Sequence, residues 1–402
     1  PGRLLSFHWE HKAKCNRYQP ENTQIISIKT GEKQPQKRKG VSIYMLKKID
    51  RKNRFVSMFD PKTGFYARSG VIDENGKDTG VDPFMTSYPE LIDVGVMGHC
   101  VHGASGLCLK SGVQCYQNGL KTHHPNMTIE NFKRIVDECK GKTFQLALGG
   151  RGDVDQHENF AEILQYCRES NIVPNFTSSG LGFTDEIVSL CKEYCGAVAI
   201  SWYRQPHTLR AIQMLLDAGI KTNIHYVLGQ NSIDEAIERL SNHDFPTGIN
   251  AVIFLLHKPV GLGSEENVLH AGDPKVQKFF DTIDHMDAPF KVGFDSCSIP
   301  AILNYTHNID PNSIDTCEGG RWSMYITSEM KALPCSFDNQ DLRWAYDISN
   351  DTIQNAWNSS QFEDFRNHFR TSCPGCKKRS ACMGGCPIRP QIVICSSTEK
   401  AV

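Results

Sequence analysis

Five cysteines near the C-terminus, Cys373, Cys376, Cys382, Cys386 and Cys395, stand in the spacing C-x2-C-x5-C-x3-C-x8-C. Thiolates packed this closely repel one another unless a metal neutralises them, so the run reads as a metal-binding nucleus. Cys297, Cys317 and Cys335 extend the series to eight thiols, enough for two four-cysteine clusters and awkward for one zinc knuckle. Much earlier, Cys100, Cys108 and Cys115 share the glycine-rich stretch GHCVHGASGLCLKSGVQCYQNG. Three thiolates from one loop leave one iron of a cubane without a protein ligand, the open position a reactive substrate needs. The glycines let the chain wrap closely around such a cluster. A structural zinc or redox-inert site is the alternative for this loop.

These residues must be positioned by the elements between them. From about residue 91, short apolar strands alternate with amphipathic helices: LIDVGV at 91–96, FQLAL at 144–148, VPNFT at 173–177, AVAIS at 197–201, NIHYVL at 223–228 and AVIFLL at 251–256. Helices are expected to open near Thr128, Glu158, Thr184, Thr208, Ser232 and Asp273, several with a side chain suited to capping. Phe160, Ile163, Leu164 and Cys167 fall on one helical face, as packing on a sheet requires. Six β-α units in succession predict an α/β fold with a parallel, curved sheet, either a full or partial barrel or an open doubly wound sheet, with chemistry at the C-terminal strand ends. The three-thiol loop follows the first of these strands. Residues 1–90 read as a small β-rich module, from QIISI at 24–28, VSIYML at 41–46, RFVSMF at 54–59 and FYARSGV at 65–71, with DPKTG at 60–64 as a turn. Residues 297–402 have little continuous apolar pattern beyond a helix near 355–369, so they are expected to fold around metal.

The chain resembles the radical SAM superfamily, in its branch with a C-terminal SPASM domain, over roughly residues 91 to 400. The family pattern C-x9-15-G-x4-C, gap, C-x2-C-x5-C-x3-C, gap, C is met by Cys317, Cys335, Cys373, Cys376, Cys382, Cys386 and Cys395. Met330 stands where glycine is usual, an exchange expected to alter a turn. The resemblance implies a partial (β/α)6 TIM-like barrel over 91–296 and a SPASM domain over 297–402. It also implies three [4Fe-4S] clusters and S-adenosylmethionine (SAM), bound at the open iron of the first cluster and cleaved to a 5'-deoxyadenosyl radical. Cys297, Cys317, Cys335 and Cys386 would hold the nearer auxiliary cluster, and Cys373, Cys376, Cys382 and Cys395 the farther one. The first motif departs from the family's C-x3-C-x2-C, being C-x7-C-x6-C here, which implies an expanded loop. Gly149 and Gly150 in LALGGRGDVD resemble the GGE segment whose backbone meets the SAM amine and carboxylate. Arg151 replaces its acid, leaving the amine to another residue such as Asp153. By the same resemblance Ser178, Ser179 and Ser201 would meet the SAM ribose and carboxylate, though serines at strand ends are also ordinary turn formers. Arg204 would reach a carboxylate of SAM or of the substrate, and Tyr226 the adenine side. His257 and Asp295 are the candidates for substrate contact or proton handling, with hydrogen bonding within a loop as their simpler role.

The reading is an enzyme that abstracts hydrogen from a ribosomally made peptide to form a thioether or carbon–carbon crosslink. Anaerobic sulfatase maturation, forming formylglycine, is the alternative enzyme. A non-catalytic iron-sulfur carrier or scaffold is the alternative outside enzymes. The implied partners are a peptide or protein substrate, with a leader segment docking on the β-rich module, and an electron donor such as flavodoxin or ferredoxin.

Composition narrows the rest. The 402 residues carry 44 Lys and Arg against 45 Asp and Glu, a net charge of −1, so no global charge argues for nucleic acid or an anionic membrane. One local excess, ten basic residues between Lys29 and Arg54 with only Glu32 and Asp50, reads as a solvated face or a dock for an acidic peptide. No run of about 18 apolar residues and no signal-peptide pattern is present, so a cytoplasmic location is expected. Sixteen cysteines at ligand spacings in a large chain fit reduced thiols better than a disulfide framework. Cys139, Cys167, Cys191 and Cys195 fall on or beside helix faces and are expected to be buried hydrophobes.

Overall fold

The structure, a computed structural model, describes residues 4–6, 45–103, 105–309 and 314–395. It divides into two compact units, Trp9–Ser87 and the remainder of the chain. No described helix is long and apolar enough to cross a membrane.

An 11-stranded sheet forms the larger unit. In chain order its strands are β1 (Leu4–Ser6), β5 (Leu91–Met97), β6 (Gln145–Gly150), β7 (Val173–Ser178), β8 (Val198–Ser201), β9 (Thr222–Leu228), β10 (Ala251–Leu256), β11 (Lys291–Phe294), β12 (Ser323–Ile326), β13 (Lys331–Leu333) and β14 (Tyr346–Asp347). The order across the sheet is β1-β11-β10-β9-β8-β7-β6-β5-β12-β13-β14. The six expected strands are its middle, β5 to β10, all parallel and adjacent in sequence order. The edges were not expected. On one side β11 and then β1, from the start of the chain, pair in parallel with β10 and β11; on the other, β12 pairs in parallel with β5 before β13 and β14 turn antiparallel.

Helices α2 (Ile129–Cys139), α3 (Phe160–Glu169), α4 (Asp185–Tyr194), α5 (Pro206–Asp217), α6 (Ile233–Asn242) and α7 (Pro274–His285) connect or follow these strands. Thr128 caps α2 by accepting from the Asn131 amide, Thr184 caps α4 through Ile187, and Asp273 caps α7 through Lys275. The fourth helix starts earlier than expected, with Pro206 in its first turn after Gln205, because a fixed proline φ suits that position. The buried stripe of α3 is Phe160, Ile163, Leu164 and Cys167. Cys139, Cys167 and Cys191 are fully buried among the helices, and Cys195 is partly exposed. At the β10–β11 end, Phe254, Phe279, Phe280 and Phe294 pack edge-to-face, tilted and, for Phe280 on Phe294, stacked, at centroid distances of 5.0–6.2 Å. Each such buried phenylalanine contributes about 1.5–3 kcal/mol.

Beyond β11 come α8 (Ile299–Tyr305), α9 (Ile353–Trp357), α10 (Ser360–Thr371) and α11 (Arg379–Cys382). The turn at Met330 keeps the conformation glycine would favour: Met330 has φ 61° and donates to the Thr327 carbonyl at 3.0 Å. A left-handed non-glycine residue costs about 1–2 kcal/mol there.

In the smaller unit, β2 (Leu46–Asp50), β3 (Phe55–Phe59) and β4 (Tyr66–Arg68) form an antiparallel sheet. Phe55, Ser57 and Phe59 are its buried face. The Asp50 carboxylate accepts from the amides of Asn53 (2.9 Å) and Ser87 (2.5 Å) and from the Ser87 hydroxyl (2.6 Å). The segment 24–28 and most of 41–46 lie outside the described residues, as does the first part of the basic run.

Candidate active site and metal centres

The C-terminal ends of β5 to β10 surround a cavity of about 370 Å³ whose wall includes Cys100, Cys108 and Cys115. The loop carrying them contains a short helix, α1 (Leu107–Lys110), with Cys108 inside it. A methyl group placed on Gly119 would stand 3.8 Å from the sulfurs of both Cys100 and Cys115, so these two thiols face one point. Cys108 lies with its sulfur 3.3 Å from the Tyr203 hydroxyl. Burial pushes the Cys108 thiol up to about 11, with the Cys115 and Cys100 sulfurs adding to the rise against the Tyr203 bond.

The expanded loop is held from outside. The Arg204 guanidinium donates to the Ser111 carbonyl at 3.1 Å, and the Asn231 amide donates to the Gly112 carbonyl at 2.9 Å. Gln114 exchanges two hydrogen bonds with Ser264, and the Leu262 amide donates to the Cys115 carbonyl at 3.0 Å. Gly261 makes this docking possible: its φ is 66°, and a Cβ there would lie 2.4 Å from the Tyr116 carbonyl. Gly150, with φ 116°, similarly lets β6 close on Met97, whose carbonyl accepts from the Arg151 amide at 2.8 Å.

Gly149, Gly150, Ser179, Ser201, His257 and Asp295 all line the cavity. Three expected site residues do not. Tyr226 is fully buried on the opposite face of β9, where its hydroxyl donates to the Ser232 carbonyl at 2.8 Å and its ring packs on Phe254. Strand alternation places His225 and Val227 inward instead. Arg204 pairs with Glu235 at 2.5 Å and clamps the cysteine loop from behind. Ser178, one residue out of phase with Thr177 and Ser179, accepts from the Gly180 amide at 3.0 Å. His257 places Nε2 3.0 Å from the Ser264 carbonyl, the loop role, while Asp295 is paired with Lys258 and accepts from Leu256 and Ser298.

Further charged residues face the cavity, among them Asp153 and Arg151 of the GGRGD segment. Asp153 accepts from the Ser179 amide at 2.8 Å and its hydroxyl at 2.5 Å, and lies 3.0 Å from His102. The Asp153 bond raises His102 above its ordinary range, against burial. Arg151 pairs with Glu329 at 3.2 Å, while its Nε is buried with no hydrogen-bond partner among the described residues. An anionic oxygen in the cavity would satisfy that Nε, and an ammonium would satisfy Asp153. This donor set therefore fits the zwitterionic end of SAM beside three thiols with one corner to spare. Lys258, buried beside Asp295, had no motif to announce it. Its place two residues after the apolar run of β10 is the one available signal.

Two further thiol groups form. Cys297, Cys317, Cys335 and Cys386 line a pocket of about 150 Å³. Contact with Cys386, together with burial, raises the Cys297 thiol well above its usual value. Cys373, Cys376, Cys382 and Cys395 line another space of about 880 Å³, which Cys386 also reaches. Among the described residues no three His, Cys, Asp or Glu side chains meet at distances suited to one ion. A cubane asks less convergence, since each thiolate binds a different iron.

The family described as SPASM, an iron-sulfur cluster-binding domain, matches residues 317–382. No curated protein sequence matches the chain. Among solved structures, Streptococcus suis SuiB bound to precursor peptide SuiA is similar with TM-score 0.59 at 14% identity, over 79% of this chain and 77% of that one. The same protein bound to S-adenosylmethionine gives TM-score 0.58 at 15% identity, over 79% and 78%. Native anSMEcpe with bound AdoMet and Cp18Cys peptide gives 0.52 at 15% identity, over 78% and 92%. At such identities the likeness is one of fold, and it spans most of both chains. The chain thus carries a SPASM cluster-binding domain over residues 317–382 and shares, over most of its length, the fold of SuiB and anSMEcpe.

Proposed function

We propose that this protein is a radical SAM peptide maturase that removes hydrogen from a peptide substrate to form a thioether or carbon–carbon crosslink. The observation that carries this reading is the meeting of Cys100, Cys108 and Cys115 with Gly149, Gly150 and Asp153 around one cavity at the strand ends. A three-thiolate cluster with SAM bound there would supply a 5'-deoxyadenosyl radical, able to take hydrogen from unactivated C–H bonds. The chain's own part is positioning. Asp153, fixed by Ser179 and His102, would hold an ammonium and Arg151 a carboxylate, keeping the zwitterionic end of SAM beside the three thiols. The apolar wall of Leu148, Val227 and Leu255 would keep water from the reacting region.

The two four-thiol groups would hold auxiliary clusters, three clusters in all. With every iron bound by cysteine they serve electron transfer, as an oxidative crosslink requires. The peptide-bound states of SuiB and anSMEcpe support a peptide substrate. The smaller unit, whose outer described strands are β2 and β4, would dock its leader segment by strand addition. The electron donor would be a flavodoxin or ferredoxin.

Anaerobic reconstitution with iron and sulfide counting, followed by dithionite reduction with SAM, tests the reading. Expected are about twelve irons per chain, four for each cubane, and 5'-deoxyadenosine. About eight irons without cleavage would leave a carrier or scaffold. With a peptide substrate, loss of two hydrogens with sulfur retained marks a crosslink. Exchange of sulfur for an aldehyde oxygen would mark formylglycine formation instead.

A further inference from the structure

The cysteine loop has two sides. Cys100, His102, Leu107, Cys108, Val113 and Cys115 line the central cavity. Val101, Leu109 and Leu120 do not; they stand in solvent, 48%, 44% and 39% exposed. Among the described residues of the larger unit, the other large apolar side chains so exposed are Leu209 and Leu342, so the loop holds most of them. All three adjoin the thiol site. Val101 follows Cys100, Leu109 follows Cys108 within α1, and Leu120 follows Gly119, where a methyl group would stand 3.8 Å from the Cys100 and Cys115 sulfurs. No residue of α1 is buried, although Arg204, Asn231 and Ser264 hold the loop from behind. Apolar side chains gathered in water on a braced loop mark a contact site. The charge beside them has one sign. Lys110 and Lys121 are exposed and form no ion pair among the described residues, and no aspartate or glutamate occurs between Asp93 and Glu130.

We propose that the outer face of the cysteine loop, formed by Val101, Leu109 and Leu120 with Lys110 and Lys121, is the docking surface of an acidic one-electron carrier protein. This rests on the reading of the three thiols as a cluster site. A peptide to be modified must enter the cavity, whereas an electron can arrive through the other side of the loop. On that side Leu109 is one peptide link, about 3.8 Å between Cα atoms, from Cys108, so a carrier seated there is separated from a cluster ligand by little more than one side chain. The apolar residues give a small dry centre and the lysines a rim that attracts carboxylates and rejects basic proteins. One electron leaves the reduced carrier, which is oxidised by one, and a cluster held by Cys100, Cys108 and Cys115 is reduced by one. No bond is made or broken at the interface.

The test uses the reconstituted full chain and two probes, a flavodoxin and a ferredoxin chosen for acidic surfaces, with affinity measured by calorimetry at low and high salt. Binding of at least one is expected, weakening as salt screens the lysines. Lys110→Glu with Lys121→Glu is expected to lower affinity about tenfold and to flatten the salt dependence. Leu109→Ser with Leu120→Ser is expected to lower it about fivefold and to keep the salt dependence. Formation of 5'-deoxyadenosine driven by the reduced carrier should fall with affinity, while dithionite, which needs no docking surface, drives native chain and variants alike. Absence of binding by the native chain at low salt overturns the proposal, as does unchanged carrier affinity in the charge variant. A charge variant that keeps the carrier but loses a peptide substrate or an association between copies of the chain assigns the face to that occupant, and also overturns it. Should the charge variant lose dithionite-driven cleavage too, Lys110→Gln with Lys121→Gln decides by affinity alone: a fall of about threefold supports the proposal, and none overturns it. If dithionite drives no cleavage in the native chain, the three-thiol reading fails and the proposal with it.

Discussion

The loop of Cys100, Cys108 and Cys115 and the pocket of Cys297, Cys317, Cys335 and Cys386 are built in opposite ways. The first draws three sulfurs from one stretch of chain, wraps them by backbone turns, and opens onto a cavity of about 370 Å³. The second draws four sulfurs from separated segments into about 150 Å³, where tertiary packing sets their places. A cubane has four corners, so the loop leaves one for a ligand and the pocket leaves none. The loop's backbone is braced by Arg204, Asn231, Ser264 and the segment around Gly261, none of which is a cysteine neighbour in sequence.

The largest expected effect separates the two sites outright. Replacing Cys100, Cys108 and Cys115 together with alanine is expected to remove about four irons per chain and to abolish 5'-deoxyadenosine formation, while the auxiliary EPR signals persist. Replacing Cys317 and Cys335 is expected to do the reverse: SAM cleavage continues and the crosslinked product disappears. If either double loss occurs in one variant, the sites are not independent and the comparison breaks. Next in size is Asp153→Asn, which keeps the shape and removes the charge facing the cavity. A hydrogen bond to a charged group contributes about 1.5–3 kcal/mol, so SAM affinity measured by equilibrium dialysis is expected to fall about 10- to 150-fold. The auxiliary clusters should be unmoved.

The same contrast explains what could be read from the sequence. The six central strands and most helix starts were legible because parallel strands buried on both faces are continuous apolar runs, as in Ala251–Leu256, and because Thr128, Thr184 and Asp273 cap where they appear to. Cys297, Cys317, Cys335 and Cys386 share the small pocket, and Cys373, Cys376, Cys382 and Cys395 the larger space, which Cys386 also reaches. Side-chain direction was harder. His225 and Tyr226 differ by one residue, and the apolar flanks on both sides of β9 gave no phase, so the aromatic ring was assigned to the wrong face. Ser178 fell to the same one-residue ambiguity. Lys258, His102 and the edge strands β1 and β12 depend on contacts between distant segments, which no local spacing encodes.

Smaller effects probe how far the open loop depends on its braces. Arg204 has φ 61° and joins Glu235, the Tyr226 hydroxyl at 3.2 Å and the Ser111 carbonyl at 3.1 Å. Arg204→Ala is expected to speed iron loss to a chelator from the three-thiol loop by about tenfold, the equivalent of about 1.4 kcal/mol, without changing loss from the four-thiol pocket. Equal acceleration at both sites would mean that Arg204 supports the whole fold and braces nothing in particular.

Tyr203→Phe is the finest probe, because it removes one hydroxyl and leaves the ring. The hydroxyl stands 3.3 Å from the Cys108 sulfur and is buried, so its proton has the thiol as its partner. Donated to a bound thiolate, that bond withdraws charge from the cluster and favours reduction. A single hydrogen bond is worth about 1 kcal/mol net, which is somewhat less than the 59 mV of a tenfold change in a one-electron couple. The first cluster's midpoint is therefore expected to fall by that order in the variant, with both auxiliary midpoints fixed. A shift of the auxiliary signals instead would show that Tyr203 acts through the fold, and the three-thiol loop would lose its claim to a separately tuned environment.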